Sequence, residues 1–294
     1  MLLSIVIVNY NTFDLTCQCV ASIRQFLNRQ DYEIIIVDNA SPAEDPSRFR
    51  EVYPDVKLVC NPENNGFAKG NNLGIRHSSG EYILLINSDA YLTSDCISPL
   101  LDQYTSGTIT GPGSVRIVYP DGAFQHTARK FRSLRNELLD LARPLLYLMP
   151  YRQRARLMLN QYFKGDFNTE ADWVSGAFMM IPAKLIRQLP GRQLDDRFFM
   201  YAEDELWCYQ FRQLGHPGYF YAEASVVHIA NASTEPGKQL SLLKTIIDHE
   251  LVLMRLMYGI GFYYQVLRAV FLAKEYGRYY AKVFIWKLSG KKIR

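Results

Sequence analysis

Apolar runs that stop abruptly at polar clusters recur along the first third of the chain. Ser4–Val8 gives way to Asn9-Tyr10-Asn11-Thr12, Ile34–Val37 to Asp38-Asn39-Ala40-Ser41-Pro42, Val56–Cys60 to Asn61-Pro62, and Ile83–Ile86 to Asn87-Ser88-Asp89. Short runs of this kind, rich in β-branched residues and lacking polar alternation, read as strands buried on both faces, the habit of parallel sheets. Between the first two, Leu15, Cys19, Ile23 and Phe26 share one face of a helix expected over Phe13–Leu27. A Gly/Asn-rich turn, Asn64–Gly74, runs into another helix before Ser78-Ser79-Gly80. Strand–helix alternation with short connections predicts an α/β fold, a Rossmann-like, mostly parallel sheet flanked by helices.

The pattern continues with a strand at Val115–Tyr119, a turn at Pro120-Asp121-Gly122 and a strand-like block from Trp173 to Pro182. From Glu205 onward, Leu206, Trp207, Gln210, Phe211 and Leu214 mark one helical face that stops at Gly215, and Gly218–Val227 reads as a last strand. Residues 129–163 predict helical pieces broken at Pro144 and Pro150, with leucines interleaved among arginines. From Leu240 the chain is helical in pattern. This divides the chain into a domain over 1–238, with halves 1–107 and 108–238, and a basic amphipathic helical extension over 239–294.

Charge sharpens that division. Residues 129–156 carry eight Lys and Arg against Glu137 and Asp140, and residues 251–294 carry nine against Glu275 alone, although the whole chain is only +4. Two basic segments on an acidic body point to a polyanion or an anionic membrane surface as neighbour. The first segment suits a flap over an acceptor, a lipid-touching patch, or a solvated helix packed on the domain. The second, with Tyr258, Tyr263, Tyr264, Tyr276, Tyr279, Tyr280 and Trp286 among its basic residues, fits an interfacial segment or a helical pair packed on the body or a second copy. Its longest uncharged run, Leu256–Leu267, is far short of the about 20 residues a span needs. Five scattered cysteines, without metal-site spacing, fit reduced thiols in a cytoplasmic protein peripheral to the inner membrane. The N-terminus has no basic region or cleavage site of a signal peptide.

The candidate chemistry lies where the strands end, since open α/β sheets bind ligands beyond the carboxyl ends of their strands. Asn87 and Asp89, two apart with oxygen ligands, suit a hard divalent cation that bridges phosphates; a plain polar turn is the alternative. No G-x-G-x-x-G follows the first strand and no P-loop occurs, which argues against a nicotinamide dehydrogenase. Ser175-Gly176-Ala177 lets backbone approach a ligand closely. Glu203 and Asp204 sit at a helix N-terminus, where acids cap the helix and complement its dipole; a carboxylate kept ionised there also suits a general base.

Ile5-Val-Ile-Val-Asn-Tyr-Asn11, Ile36-Val-Asp-Asn-Ala-Ser41, Asn64-Asn-Gly-Phe-Ala-Lys-Gly-Asn-Asn72 and Leu85-Ile-Asn-Ser-Asp89, continued by the Trp173 and Glu203-Asp204 blocks, resemble the ordered blocks of glycosyltransferase family 2. The subgroup most resembled is the bacterial rhamnosyltransferase-like enzymes. The resemblance implies a GT-A fold and an inverting transfer of a sugar, rhamnose by subgroup, from a UDP- or dTDP-activated donor to a hydroxyl of a lipid-linked or cell-surface glycan. It implies that Asp38 accepts from the imide N–H of the base, that Tyr10 and Asn11 lie near base and ribose, and that Asn71, Asn72 and Ser88 border the nucleotide. It places Mg²⁺ or Mn²⁺ at Asp89 with Asn87 and His228, Trp173, Gly176 and Ala177 at sugar and acceptor, and Asp204, beside Glu203, as base. Asn87 stands where the family's D-x-D motif has its first acid, leaving one carboxylate. His77, His126, His216 and His249 have no comparable support. The resemblance makes residues 1–107 the nucleotide-binding half and 108–238 the acceptor-binding half. No nucleic-acid partner is expected, and a homodimer through the C-terminal helices is the alternative to a membrane surface. The rivals are a sugar-nucleotide nucleotidyltransferase and a non-catalytic module that grips membrane or polyanion.

Overall fold

The computed structural model describes residues 1–159, 162–230 and 239–289. The chain forms two compact units: Met1–Lys130 with Ala155–Ser233, and Phe131–Arg154 with Thr234–Arg294. The expected extension over 239–294 therefore shares its unit with the first basic segment.

The first unit is built on a nine-stranded sheet. Its parallel half follows from the apolar runs: β1 (Leu3–Asn9), β2 (Tyr32–Asp38), β3 (Lys57–Cys60) and β4 (Tyr82–Asn87), in the spatial order β3-β2-β1-β4. The crossovers are α1 (Phe13–Phe26), α2 (Arg48–Val52) and α3 (Phe67–Arg76). Register sets Asn9 beside Asp38 and Val8 beside Asn87, so the polar clusters line up along one sheet edge. The Gly70-Asn71-Asn72 stretch, expected as a turn, lies inside α3. Its glycines serve packing: a Cβ on Gly74 would stand 2.4 Å from Val6 Cγ1, and one on Gly70 3.0 Å from Val8 Cγ1. The helix lies directly on β1 because those positions are bare.

The remainder is mixed. After β5 (Ala90–Tyr91) and α4 (Ile97–Thr105) come β6 (Gly113–Val118) and the short β7 (Ala128–Arg129). β8 (Thr169–Ala171), β9 (Trp173–Val174), β10 (Phe178–Pro182), α8 (Ala183–Ile186), α9 (Glu203–Gln213) and β11 (Gly218–His228) complete the unit. β10 inserts antiparallel between β4 and β6, β11 runs parallel to β6 and antiparallel to β5 and β8, and β7 pairs with β9 in a separate ribbon. The block from Trp173 to Pro182 is thus two strands broken by a turn at Ser175–Ala177. α9 starts at Glu203, two residues before the apolar face announced it, because the acids themselves make its first turn. A continuous apolar core from Leu3, Ile5 and Ile7 through Leu84, Phe178 and Val226 fills the space between sheet and helices.

The second unit is helical: α5 (Leu134–Leu141), α6 (Arg143–Leu146), α10 (Gln239–Tyr258) and α11 (Phe262–Ser289). The chain leaves the first unit after Lys130 and re-enters it within α7 (Tyr151–Met158). Pro144 begins α6 and Pro150 precedes α7, as the proline breaks predict. Ile247, Met254, Tyr264, Leu267 and Phe271 form its apolar core, with Tyr258 and Tyr276 packed against it. Part of the aromatic series expected at an interface is therefore turned inward, Tyr264 in this core and Tyr258 and Tyr276 against it, while Tyr263 and Tyr280 stay exposed. Tyr258 Oη donates to Arg132 O, and Tyr263 Oη accepts from Leu134 N. Two helices joined by the Gly259–Gly261 turn bury such a stripe against each other. Trp286 lies outside the described side chains. Among the described residues no helix is long and apolar enough to cross a membrane.

Candidate active site

Three strands deliver the polar ends to one place. At the end of β2, Asp38 is buried, 2% exposed, and its carboxylate is saturated on one side only. Oδ1 accepts from Asn9 Nδ2 (2.8 Å) and Ser41 Oγ (2.6 Å), and Oδ2 accepts from Ser41 N (3.1 Å). Three of the roughly four acceptor positions of a carboxylate are used. Asn9 is in turn fixed by Thr16 Oγ1 (2.9 Å) and Thr12 Oγ1 (3.0 Å), and Thr12 Oγ1 stands 2.9 Å from Ser88 Oγ. Asn11 and Ala40 both adopt left-handed backbone, φ 53° and 59°. Asn11 N donates to Ser41 Oγ, and Tyr10 and Asn11 are exposed at the rim. Asn39 is a second buried tie, donating to Asn64 Oδ1 (2.8 Å) and accepting from Asn61 (2.8 Å).

Asn71 and Asn72 are buried, and their bonds are internal. Asn71 Nδ2 donates to Phe67 O, while both ends of the Asn72 amide pair with Leu194 backbone (2.8 and 3.0 Å) like a strand neighbour. In this arrangement Asn72 braces the Leu194 loop against α3. Gly66, just ahead of α3, has φ 88°, and a Cβ there would fall 2.2 Å from Phe199 O. Phe67 N donates to that same carbonyl (2.9 Å), tying α3 to the segment that enters α9.

At the end of β4, Asn87, Ser88 and Asp89 turn toward the end of β11. The pairing of His228 with Ala90 across β11 and β5 brings the imidazole over: Nε2 lies 3.2 Å from Asp89 Oδ1 and 3.2 Å from Asn87 Nδ2. Its other nitrogen, Nδ1, is 2.9 Å from Gln125 Oε1, while Gln125 Nε2 donates to His228 O (2.6 Å). Because the Gln125 amide N–H₂ is spent on the carbonyl, its oxygen faces the ring and demands a proton on Nδ1. With the proton on Nδ1, a ring that carries no second proton presents its Nε2 lone pair to Asn87 Nδ2, beside Asp89 Oδ1. Asn87 Oδ1 is buried without a hydrogen-bond partner. A one-carboxylate, one-imidazole, one-amide set of this kind suits Mg²⁺ or Mn²⁺ as part of a shell completed by phosphate oxygens. Among the described residues no three His, Cys, Asp or Glu cluster as a fuller metal site.

The two acids of α9 have opposite surroundings. Asp204 is half-buried, with Oδ2 accepting from Gly176 N (3.0 Å) and Oδ1 from Glu205 N (2.9 Å). Burial pushes its pKa up, and those two N–H groups and the charge of Arg129 push back. Glu203 is buried, its Oε2 has no partner, and burial followed by the Asp204 charge raises its pKa strongly. Tyr201 and Ala202, which lead into the helix, both hold left-handed φ, 73° and 70°, a strain that non-glycine residues keep only where the surroundings impose it. The Ser175–Ala177 turn joins the two halves of the site. Gly176 N donates to Asp204, and Ala177 O accepts from Asn87 N (3.0 Å). A Cβ on Gly176 would stand 3.3 Å from Phe67 and 3.4 Å from Asp204 Cβ. Trp173 is half-buried under the Arg129 guanidinium, 5.0 Å from its ring centre.

The structure thus draws Asp38, Asn87, Ser88, Asp89 and His228 together through hydrogen-bonded neighbours, and links Gly176, Ala177 and Asp204 to them. Sequence reading passed over Asn9, Ser41, Gln125 and Arg129. Asn9 and Ser41 lie inside the quoted blocks and carry a signal; Gln125 carries none, because its partner is 103 positions away.

Residues 4–167 match Glycosyl transferase family 2, more than half of the chain. The chain is 25% identical over 222 residues to the N-acetylglucosaminyl-diphospho-decaprenol L-rhamnosyltransferase of Mycobacterium tuberculosis, covering 71% of this chain and 70% of that protein. Its fold is similar to that of the mannosyltransferase PcManGT from Pyrobaculum calidifontis, solved with GDP-Man and Mn²⁺ (TM-score 0.59, 16% identity, 93% of this chain and 69% of that one). It is also similar to S. aureus TarS 1-349 in complex with UDP (TM-score 0.52, 13% identity, 86% and 66%). At these identities the solved structures speak for the fold alone, which is of the GT-A kind. The chain spans 16%, 66% and 62% of the length of three further relatives that it matches. The chain belongs to glycosyltransferase family 2.

Proposed function

We propose that this protein is an inverting, hexosyl-type glycosyltransferase that moves a sugar from a UDP- or dTDP-activated donor to a hydroxyl of a lipid-linked or cell-surface glycan. The observation that carries the reading is the Ser175–Ala177 turn, which hydrogen-bonds Asp204 on one side and the Asn87 backbone on the other. A proton acceptor and a phosphate-facing cluster are thereby held on one rigid element.

Asp38 is the donor's base-reading group in this proposal. Its remaining acceptor position suits the imide N–H of uracil or thymine and repels the ring nitrogen lone pair of cytosine. Asp204, partly exposed and fed by two backbone N–H groups, takes the proton of the acceptor hydroxyl. Glu203, buried and short of partners, stays protonated beside it and keeps the pair from carrying two charges. Asp89, the Nε2 of His228 and the Asn87 amide, once its oxygen rather than its N–H₂ faces inward, would hold Mg²⁺ or Mn²⁺. When bound, the cation neutralises charge on the departing diphosphate. Gln125 positions His228 for that task. The mannosyltransferase neighbour's Mn²⁺ and the rhamnosyltransferase relative's name support metal use and rhamnose as the sugar.

The test is calorimetry with UDP, dTDP, GDP and CDP, with and without Mn²⁺, beside turnover of Asp204→Asn. Metal-linked binding of UDP or dTDP over CDP is expected, with Asp204→Asn binding normally and losing about 10²–10⁴-fold in kcat. Gln125→Met should weaken Mn²⁺ binding and leave metal-free nucleotide binding unchanged. Unchanged turnover in Asp204→Asn overturns the base assignment. Absence of all nucleotide binding overturns the transferase reading.

A further inference from the structure

In the helical unit, the segment α5–α6 is turned inside out. Its acids face inward: Glu137 is buried against Arg132 (3.2 Å) and Lys274, and Asp140 accepts from Lys274 Nζ (2.9 Å), Arg278 Nη2 (2.7 Å) and Arg143 Nε (2.8 Å). Four of its leucines face outward, although Leu146 is buried and Leu134 packs on the core. Leu138, Leu141, Leu145 and Leu148, spaced by three, four and three residues, are 51%, 57%, 66% and 83% exposed. The first two lie in α5, Leu145 in α6 and Leu148 just after it, a row of exposed apolar side chains along the segment, and such apolar patches mark an interaction surface. The hydrogen bond from Leu134 N to Tyr263 Oη sets the α10–α11 turn, with exposed Ile260 and Phe262, against the start of the same segment.

We propose that this leucine face docks on an anionic lipid bilayer surface. Charge decides between lipid and a second copy of the chain. Both acids of residues 131–154 face inward, so the exposed charge that the segment carries next to the first leucine of the row is basic, at Arg135. Two copies meeting there would bring like charges together, whereas anionic headgroups meet them with opposite sign while the leucines enter the acyl boundary. The inward ion pairs hold this arrangement, because turning the helix over to bury its leucines would take Glu137 and Asp140 away from the buried Lys274. This deepens the reading of a lipid-linked acceptor and rests on it only for its purpose, since the surface itself lies wholly within the helical unit.

The experiment is co-sedimentation of the full chain with phosphatidylcholine vesicles, with and without phosphatidylglycerol, for wild type and for Leu145→Asp/Leu148→Asp and Leu138→Ser/Leu141→Ser. These side chains are exposed, so thermal melting should be unchanged in the variants. Wild type is expected to sediment with phosphatidylglycerol vesicles, less at high salt, and each double variant to lose at least about tenfold in affinity. Equal binding by wild type and variants overturns the proposal. So does a wild-type dimer in sedimentation velocity that the variants convert to monomer, which would assign the face to a second copy. UDP binding, measured in parallel, separates the outcomes: docking without nucleotide binding sinks the transferase reading and leaves the lipid surface standing.

Discussion

Glu203 and Asp204 are neighbours in the chain with unlike surroundings, and this divides their roles. Asp204 accepts two backbone N–H groups and keeps part of its surface open, while Glu203 has an oxygen with no partner inside the fold. Burial, then the Asp204 charge, raises the Glu203 pKa to about 8. The sign of its effect on stability follows from linkage: the contribution is fully present below the unfolded pKa and is lost as pH rises through the folded one. Wild type should therefore lose stability between about pH 4.5 and about pH 8 through this group. Glu203→Gln, which needs no proton to be neutral, should gain on wild type across that window, by up to about 1.4 kcal/mol per pH unit. Urea unfolding of both proteins at several pH values checks this. A constant difference would mean that Glu203 is ionised in the fold. Part of this was legible: an Asp or Glu in a helix's first turn is a sequence feature. Which acid receives the N–H of Gly176 is not, because that residue lies 28 positions earlier.

At the scale of elements, the carboxyl ends of β1, β2 and β4 were visible as apolar runs meeting Asn, Asp and Ser, and the strands form there. The inserted β10, antiparallel between two strands of other direction, was not visible, since an apolar five-residue strand reads the same in either orientation. The glycines of α3 illustrate the same limit. Their composition predicts a turn; in the fold Gly70 and Gly74 let the helix rest on Val6, Val8 and Val37, and Gly66 clears Phe199 O. Gly66→Ala combines a left-handed φ with a Cβ placed 2.2 Å from that carbonyl. Strain of this type costs about 1–3 kcal/mol, so the melting midpoint should fall by about 2–12 °C. Because Phe199 precedes the strained Tyr201-Ala202 entry to α9, kcat should fall as well. A variant that melts and turns over like wild type would show that the loop shifts freely.

For the whole molecule, the two units are stabilised by different means. The sheet unit has a continuous apolar core. The helical unit supplements a small apolar core with a buried ion cluster in which Lys274 meets Glu137, Asp140 and Glu275, and Arg132 meets Glu137 and Glu250. Burial pushes the Asp140 pKa up, but Arg143, Lys274 and Arg278 overcome this and hold it well below the usual carboxylate range. Removing Lys274 takes one cation from a cluster in which Arg132 still meets Glu137 and Arg143 and Arg278 still meet Asp140, so the cost should fall below the about 3–5 kcal/mol of a buried pair broken outright. Lys274→Met should therefore lower the unfolding midpoint of the helical unit while UDP binding by the sheet unit persists. Hydrogen exchange that remained slow throughout α5 and α11 in that variant would show that the apolar core suffices.

The sequence by itself determined the alternation of strands and helices, the polar clusters that end β1, β2 and β4, and the family, because these are local patterns with a fixed period and order. The tertiary structure alone decided that Gln125 sets the His228 tautomer, that Asn72 braces a loop, and that one turn joins Asp204 to Asn87. It also decided that Leu138, Leu141 and Leu145 of α5–α6 face out while Glu137 and Asp140 face in. Each of these depends on which distant group arrives opposite a side chain, and periodicity along the chain carries no record of that partner.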